Sequence, residues 1–241
     1  MNNSPIVTCD RLCKNYGGKT ALSNLNMEIG RGKVVGLLGP NGSGKTTFIK
    51  LLNGLIQPSS GELRVDGKLP GVETKAIVSY LPDRSYFADW MTVRDIFDIF
   101  EDFYDNFNRQ KAVDMCALLG VSEKDRIKSM SKGTKEKVQI AIVMCREADL
   151  YLLDEPIAGV DPVAREYILN TIINNYKDDG TIILSTHLIT DIERILDEVV
   201  FIKEGEIIRH AAVDDLKERE GVSIDELFRK DFRWGGVNNV R

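Results

Sequence analysis

The chain has 241 residues, 43% of them hydrophobic and 29% charged, and its 32 lysines and arginines against 37 acidic residues leave a formal net charge of −5. That length allows one large α/β domain with a modest appendage and a sizeable core, and the acidic balance argues against nucleic acid as the main partner. Four cysteines without a CxxC pair and only two histidines exclude a zinc site or a disulfide framework, and no run of 18 apolar residues is present to span a bilayer.

The N-terminus carries Asn2, Asn3, Ser4 and Pro5 where a signal peptide would have a basic region and an apolar run. The expectation is a cytoplasmic chain that serves any membrane process through a partner. Residues 5–35 read as short strands: Ile6, Thr8 and the segment Ala21–Ile29 alternate, with Tyr16-Gly17-Gly18-Lys19 as a turn. Val34–Leu38 is a short apolar run of the kind buried in parallel sheets. A Gly-rich loop follows, then a helix from about Lys45 to Asn53, ended by Gly54 and Pro58.

Residues 62–81 read as further strands, with turns at Asp66-Gly67 and Pro70-Gly71. From Thr92 the period changes. Val93, Ile96, Phe97, Phe100, Phe103, Tyr104 and Phe107 recur at helical spacing, which predicts a helix from Val93 to Phe107 behind a capping box of Thr92 and Asp95. A helical subdomain is expected at about 91–146. Leu150–Leu153 is the next buried strand, followed by a helix around 162–177, a strand at Thr181–Ser185, a helix near 189–196 and a strand at Glu198–Ile202. Strands alternating with helices predict βαβ units and a parallel sheet. From 205 the chain turns polar and mixed, and 211–241 is read as a small C-terminal extension.

Gly39-Pro40-Asn41-Gly42-Ser43-Gly44-Lys45-Thr46 matches G-x-x-x-x-G-K-[ST] between a predicted strand and a predicted helix. Glycines let the backbone wrap phosphates with its N–H groups, and the helix N-terminus adds partial positive charge. Lys45 can then reach the β- and γ-phosphates, and the Thr46 hydroxyl can ligate Mg²⁺. Leu150–Asp154 is an apolar strand ending in a carboxylate, with Glu155 next. Parallel strands present their C-terminal ends to the ligand crevice, so Asp154 is placed to support Mg²⁺ and Glu155 to polarise an attacking water. His187 ends another strand on the same edge and is assigned to the γ-phosphate, while His210 has no such context. Ser131 is a natural N-cap, and Ser131-Lys132-Gly133 at a helix start offers main-chain donors to an anion. Tyr86, Phe87 and Trp90 fall outside the helical stripe and are expected on the surface as a docking patch.

Taken in order, these motifs resemble the ABC ATPase family, the nucleotide-binding subunits of ATP-binding-cassette transporters, over about residues 5–210 with 1–210 as the ATPase domain. The resemblance implies a P-loop NTPase of α/β class: a parallel-sheet core, an N-terminal antiparallel β subdomain and a helical signature subdomain. It implies that Tyr16 stacks on adenine, that Gly39 through Thr47 is the Walker A loop, and that Met130–Thr134 carries the signature through Ser131 and Gly133. It further implies that Leu150–Glu155 is the Walker B strand with its catalytic glutamate, that Gly159-Val160-Asp161 is the D-loop, and that His187 is the switch histidine. Two positions depart from the family pattern. Asp83 stands where a glutamine is usual and is assigned to the metal side, and the signature reads Ser-Lys-Gly-Thr in place of Ser-Gly-Gly-Gln. Leu81-Pro82-Asp83-Arg84, Ser131-Lys132-Gly133 and Ile157–Pro162 are similar to the Ytr-type exporter ATPases of Gram-positive bacteria. The family's mechanism implies ATP and Mg²⁺, a second ATPase subunit arranged head to tail, transmembrane permease partners, a peripheral place on the inner face of the cell membrane, and export. A soluble ABC ATPase without a membrane partner is the alternative.

Overall fold

The computed structural model describes residues 4–232. Two sheets carry the fold. Strands β1 (Val7–Tyr16), β2 (Lys19–Ile29) and β4 (Ser60–Val65) form an antiparallel sheet in the order β2-β1-β4. The second has six strands in the order β5-β6-β7-β3-β8-β9. In it β5 (Val78–Leu81), β6 (Leu150–Asp154), β7 (Thr181–Thr186), β3 (Val34–Leu38) and β8 (Glu198–Lys203) run parallel, and β9 (Glu206–Ala212) closes the edge antiparallel to β8. Strands β3, β6 and β7 are buried at every residue, as the uniform apolar runs require of strands covered on both faces.

One core lies between the two sheets and includes Phe48 and Ile49 of α1 (Lys45–Leu52). The other lies on the opposite face, under α6 (Pro162–Asn175), α7 (Ile189–Ile192), part of α5 (Lys132–Met144) and the C-terminal helices α8 (Val213–Glu220) and α9 (Ile224–Phe232). A third cluster joins Phe97 and Phe100 of α3 (Val93–Phe103) to Ala112 and Met115 of α4 (Arg109–Leu118) and Val138 of α5.

Three stretches differ from the sequence reading. Val72–Ile77 is a helix, α2, not a strand. Val72, Thr74 and Ala76 alternate with Glu73 and Lys75 and so imitate strand periodicity, but the Thr74 hydroxyl accepts the Gly71 N–H at 2.9 Å and caps a helical turn. The predicted Val93–Phe107 helix ends at Phe103. Tyr104 is extended, and Asn108 starts α4 by accepting the Lys111 N–H. Phe107 still packs against Phe97 and Phe100, at ring-centroid distances of 6.2 and 5.4 Å, from outside their helix. The polar run after 205 conceals β9 and two helices whose Leu216, Ile224 and Leu227 are buried. Of the 211–241 stretch, residues 233–241 lie outside the described residues.

Candidate functional site

Strand β3 delivers the chain to the Gly-rich loop, and α1 leaves it at Lys45. Gly44 sits at φ 115 with its Cα so close to β2 that a Cβ would stand 2.7 Å from the Ala21 carbonyl and 2.6 Å from Leu22 Cδ2. No other residue fits there. The Lys45 ammonium folds back into the loop, donating to the carbonyls of Gly39 at 2.8 Å and Pro40 at 3.3 Å. It is almost wholly buried, and burial pulls its pKa below the usual lysine range, with Glu155 and Asp154 opposing. Ser43 is buried within the loop, and its N–H donates to the Pro40 carbonyl.

Strand β6 lies beside β7 and ends at the same edge of the sheet as β3. Asp154 Oδ1 accepts from Ser185 Oγ at 2.6 Å and from Thr46 Oγ1 at 3.2 Å. Burial pushes the Asp154 carboxyl up. Those two hydrogen bonds oppose the shift, and the nearby Asp83 and Glu155 add to it. Its Oδ2 is buried with no hydrogen-bond partner among the described residues.

Glu155 adopts φ 52, a left-handed conformation that a glutamate rarely takes. Ser185 fixes it: the Glu155 N–H donates both to the Ser185 carbonyl and to its Oγ, each at 3.0 Å. The turned side chain then lies between His187 and Lys45. Oε2 is 3.0 Å from His187 Nδ1, and Oε1 is 3.7 Å from Lys45 Nζ.

A cleft of about 350 Å³ opens over this edge. Tyr16 and Lys19 line one side, Asn41, Gly42, Gly44, Lys45, Thr46 and Thr47 the floor, and Asp83 and Glu155 the far side. Gly39 and Pro40 contribute through the carbonyls that hold Lys45. Tyr16 is 47% exposed, with Lys14 Nζ 5.1 Å from its ring centroid. Ser131 and Gly133 do not line the cleft. Ser131 is exposed at the start of α5, where its Oγ accepts the Thr134 N–H at 3.1 Å.

Ser185 and Lys19 are site residues that motif reading missed. Ser185 looked like the last apolar-run residue of a strand, and only the adjacency of β6 and β7 gives it a task. Of the aromatic patch, Tyr86 and Trp90 are exposed, but Phe87 is buried at 9% in the α3–α4–α5 cluster, its ring 4.6 Å from that of Tyr86. The expectation of a surface Phe87 is therefore corrected: a loop that crosses a packed helical layer drops one aromatic into it.

Comparison with known proteins bears on the same residues. The sequence profile of the ABC transporter family matches residues 22–158. The lantibiotic transport ATP-binding protein SrtF of Streptococcus pyogenes is 33% identical over 94% of this chain and 97% of its own length. The ABC transporter ATP-binding protein YtrB of Bacillus subtilis is 30% identical over 94% of this chain and 78% of its own. The solved structure of an ATP-binding subunit of an ABC transporter superimposes with a TM-score of 0.82 at 26% identity, covering 93% of this chain and 98% of that one. Among the described residues no helix is long and apolar enough to cross a membrane. A lysine-bearing loop at the end of β3, a strained glutamate at the end of β6 on the same sheet edge and these likenesses lead to one conclusion: the chain belongs to the ABC transporter family as an ATP-binding subunit, and it is an ATPase.

Proposed function

We propose that the chain hydrolyses MgATP to drive transport, most simply export, through transmembrane permease subunits at the inner face of the cell membrane. The observation that carries the hydrolytic part is Glu155, turned by its left-handed backbone to lie between His187 and Lys45 at the edge of the cleft. In this reading Lys45 leaves the Gly39 and Pro40 carbonyls for the β- and γ-phosphates, Glu155 polarises the attacking water, and His187 orients Glu155 and meets the γ-phosphate. Tyr16 offers an exposed ring for the adenine, and the N–H groups from Gly42 to Thr47 cradle the phosphates.

A metal fits the site. The buried Asp154 Oδ2 has no partner among the described residues, and the Thr46 hydroxyl lies beside the same carboxylate. One hydroxyl and one carboxylate, with phosphate oxygens and water, suit Mg²⁺. Asp83 lines the same cleft, and Thr46 and Asp154 would hold the ion. It would neutralise charge on the phosphates during transfer.

The second part is the dimer. Ser131 and Gly133 present a capped helix start on an exposed surface, away from their own cleft. They suit the phosphates of a second ATPase subunit placed head to tail. A groove of about 390 Å³ lined by Leu55, Tyr86, Ile99, Phe103 and Tyr104 suits an apolar segment of a permease. Phe103 is 77% exposed in it. Likeness to proteins named for lantibiotic transport and linearmycin resistance favours export here.

Sedimentation of the Glu155→Gln chain tests the arrangement. With MgATP it should run as a dimer, and adding Ser131→Arg should return it to monomer while ATP binding persists. A Ser131→Arg double variant that dimerises as well as Glu155→Gln would overturn the head-to-tail reading.

A further inference from the structure

The nucleotide loop does not rest on β3 and α1 alone. It leans on the hairpin between β8 and β9. The hairpin turns at Glu204 and Gly205, whose φ values of 51 and 83 are those of a tight two-residue connection. Three contacts join this turn to the loop. The Gly205 N–H donates to the Ser43 carbonyl at 2.9 Å. The Ile202 carbonyl lies so near Gly39 that a Cβ there would stand 2.3 Å from it. A Cβ on Gly44 would lie 3.7 Å from Gly205 Cα. The Gly205 carbonyl accepts the Ser23 N–H at 2.8 Å, so the same turn also ties the loop to β2.

One arm of the hairpin, β8, is largely buried and paired with β3; the other arm is the looser one. Strand β9 is the edge of its sheet, and none of its residues is buried. That arm gains a further restraint from α9. Asp231 Oδ2 accepts from Arg209 Nε at 2.9 Å, and the Asp231 carbonyl accepts from Lys203 Nζ at 3.3 Å. Lys203 and Arg209 stand on opposite arms of the hairpin, so one residue of α9 grips both. Beneath this pair Phe228 and Phe232 stack at 4.1 Å and both meet Phe201 of β8, at 5.5 and 5.9 Å. The Arg209 and Asp231 side chains are 27% and 18% exposed, so water screens the pair only in part.

We propose that α9 is a positioning element for the nucleotide loop, acting through the β8–β9 hairpin, and that Asp231 is its positioning residue. A phosphate cradle built from main-chain N–H groups binds only while its atoms stay within a few tenths of an ångström of the required geometry. The hairpin supplies that constancy from beneath the loop, and α9 supplies it to the hairpin. Release of α9 therefore loosens the cradle without touching a group that meets the nucleotide. The inference rests on the loop being the seat of ATP. Wild-type chain that failed to bind ATP would overturn that reading before any variant is compared.

The test combines hydrogen exchange with nucleotide binding on the full chain. Asp231→Ala should raise exchange in the peptides spanning 39–47 and 202–206 while β6 stays protected. It should weaken ATP by about two- to five-fold, the scale of one partly screened ion pair. The turnover number at saturating ATP should stay near wild type, giving a KM effect without a kcat effect. Asp231→Asn keeps an acceptor for Arg209 and should recover most of the affinity. The double variant Phe228→Ala/Asp231→Ala removes the stacked ring as well and should release α9, read by exchange in 224–232. If α9 is released and both the 39–47 exchange and the ATP affinity stay at wild-type values, α9 does not position the loop and the proposal falls.

Discussion

Arg146 is the side chain whose removal should cost this fold most for its size. It lies just after α5, is 3% exposed, and has no acidic partner among the described residues. Burial pulls its pKa down to about 10, which still leaves it charged at neutral pH. Its charge is satisfied by main chain. The guanidinium donates to the carbonyls of Lys75 at 3.2 Å and Ala76 at 2.7 Å, to that of Val78, and to Asn106 Oδ1 at 3.0 Å, while Tyr104 covers its face at 3.7 Å. These carbonyls end α2 and begin β5, so one side chain bolts the helical layer to the sheet edge that carries Asp83. Arg146→Met keeps the apolar stem and removes the donors. Each buried group left short of a partner costs about 1–3 kcal/mol. The Ala76 carbonyl also accepts from Asn106, and Asn106 itself is only half-buried, so two groups, the Lys75 and Val78 carbonyls, are left short, which gives about 4 kcal/mol. For a chain of this size, at about 2–4 °C per kcal/mol, the melting temperature should fall by about 8–16 °C. Arg146→Lys, with one ammonium in place of a planar fork, should fall between. Differential scanning calorimetry reads the change. A Met variant melting within about 2 °C of wild type would show that water or relaxation replaces the donors and that the reasoning is wrong.

Tyr16→Ala should weaken ATP and GTP by similar factors in equilibrium binding, because every base has a π-face, while Tyr16→Phe should bind as wild type; unchanged affinity in the Ala variant would remove Tyr16 from the site. Burial pushes the thiols of Cys9, Cys116 and Cys145 up to about 12, so native protein should give one fast-reacting thiol, Cys13, and unfolded protein four. Burial raises the Glu198 carboxyl, but hydrogen bonds from Lys33 and His210 outweigh it and hold the group below its ordinary value of 4.5. A carboxyl held down in the folded state lends stability above its unfolded pKa and loses it as pH falls through the folded one. Glu198→Gln should therefore flatten the loss of stability below about pH 4.5 in urea titrations, and an unchanged acid slope would contradict the assignment.

The parts of the site that sequence reading found are those where chemistry forces a local pattern. Gly39–Thr46 needs its spacing to wrap a phosphate, and Asp154-Glu155 follows a five-residue apolar strand because such strands end at the crevice. What it missed depends on contacts between distant segments. Ser185 meets Asp154 and Glu155 only because β7 lies next to β6, and Arg146 serves α2 and β5 from about 70 residues away. Asp231 acts on a hairpin more than 20 residues earlier. Local rules also competed: the alternation in 72–76 argued for a strand, and the Gly71–Thr74 cap decided for a helix. The charged surface of α8 and α9 hid Leu216, Ile224 and Leu227, each of which faces the core. The density of aromatics around 86–107 was visible, yet which of them the helical layer absorbs was not, as Phe87 shows.

The central claim is that Glu155, held by Ser185 and His187, polarises the water that cleaves ATP. Phosphate release by Glu155→Gln, measured under single-turnover conditions with MgATP, tests it most directly. The account predicts ATP affinity near wild type and a hydrolysis rate lower by about 10²–10⁴-fold. A Gln variant that binds ATP and releases phosphate at close to the wild-type rate would contradict it.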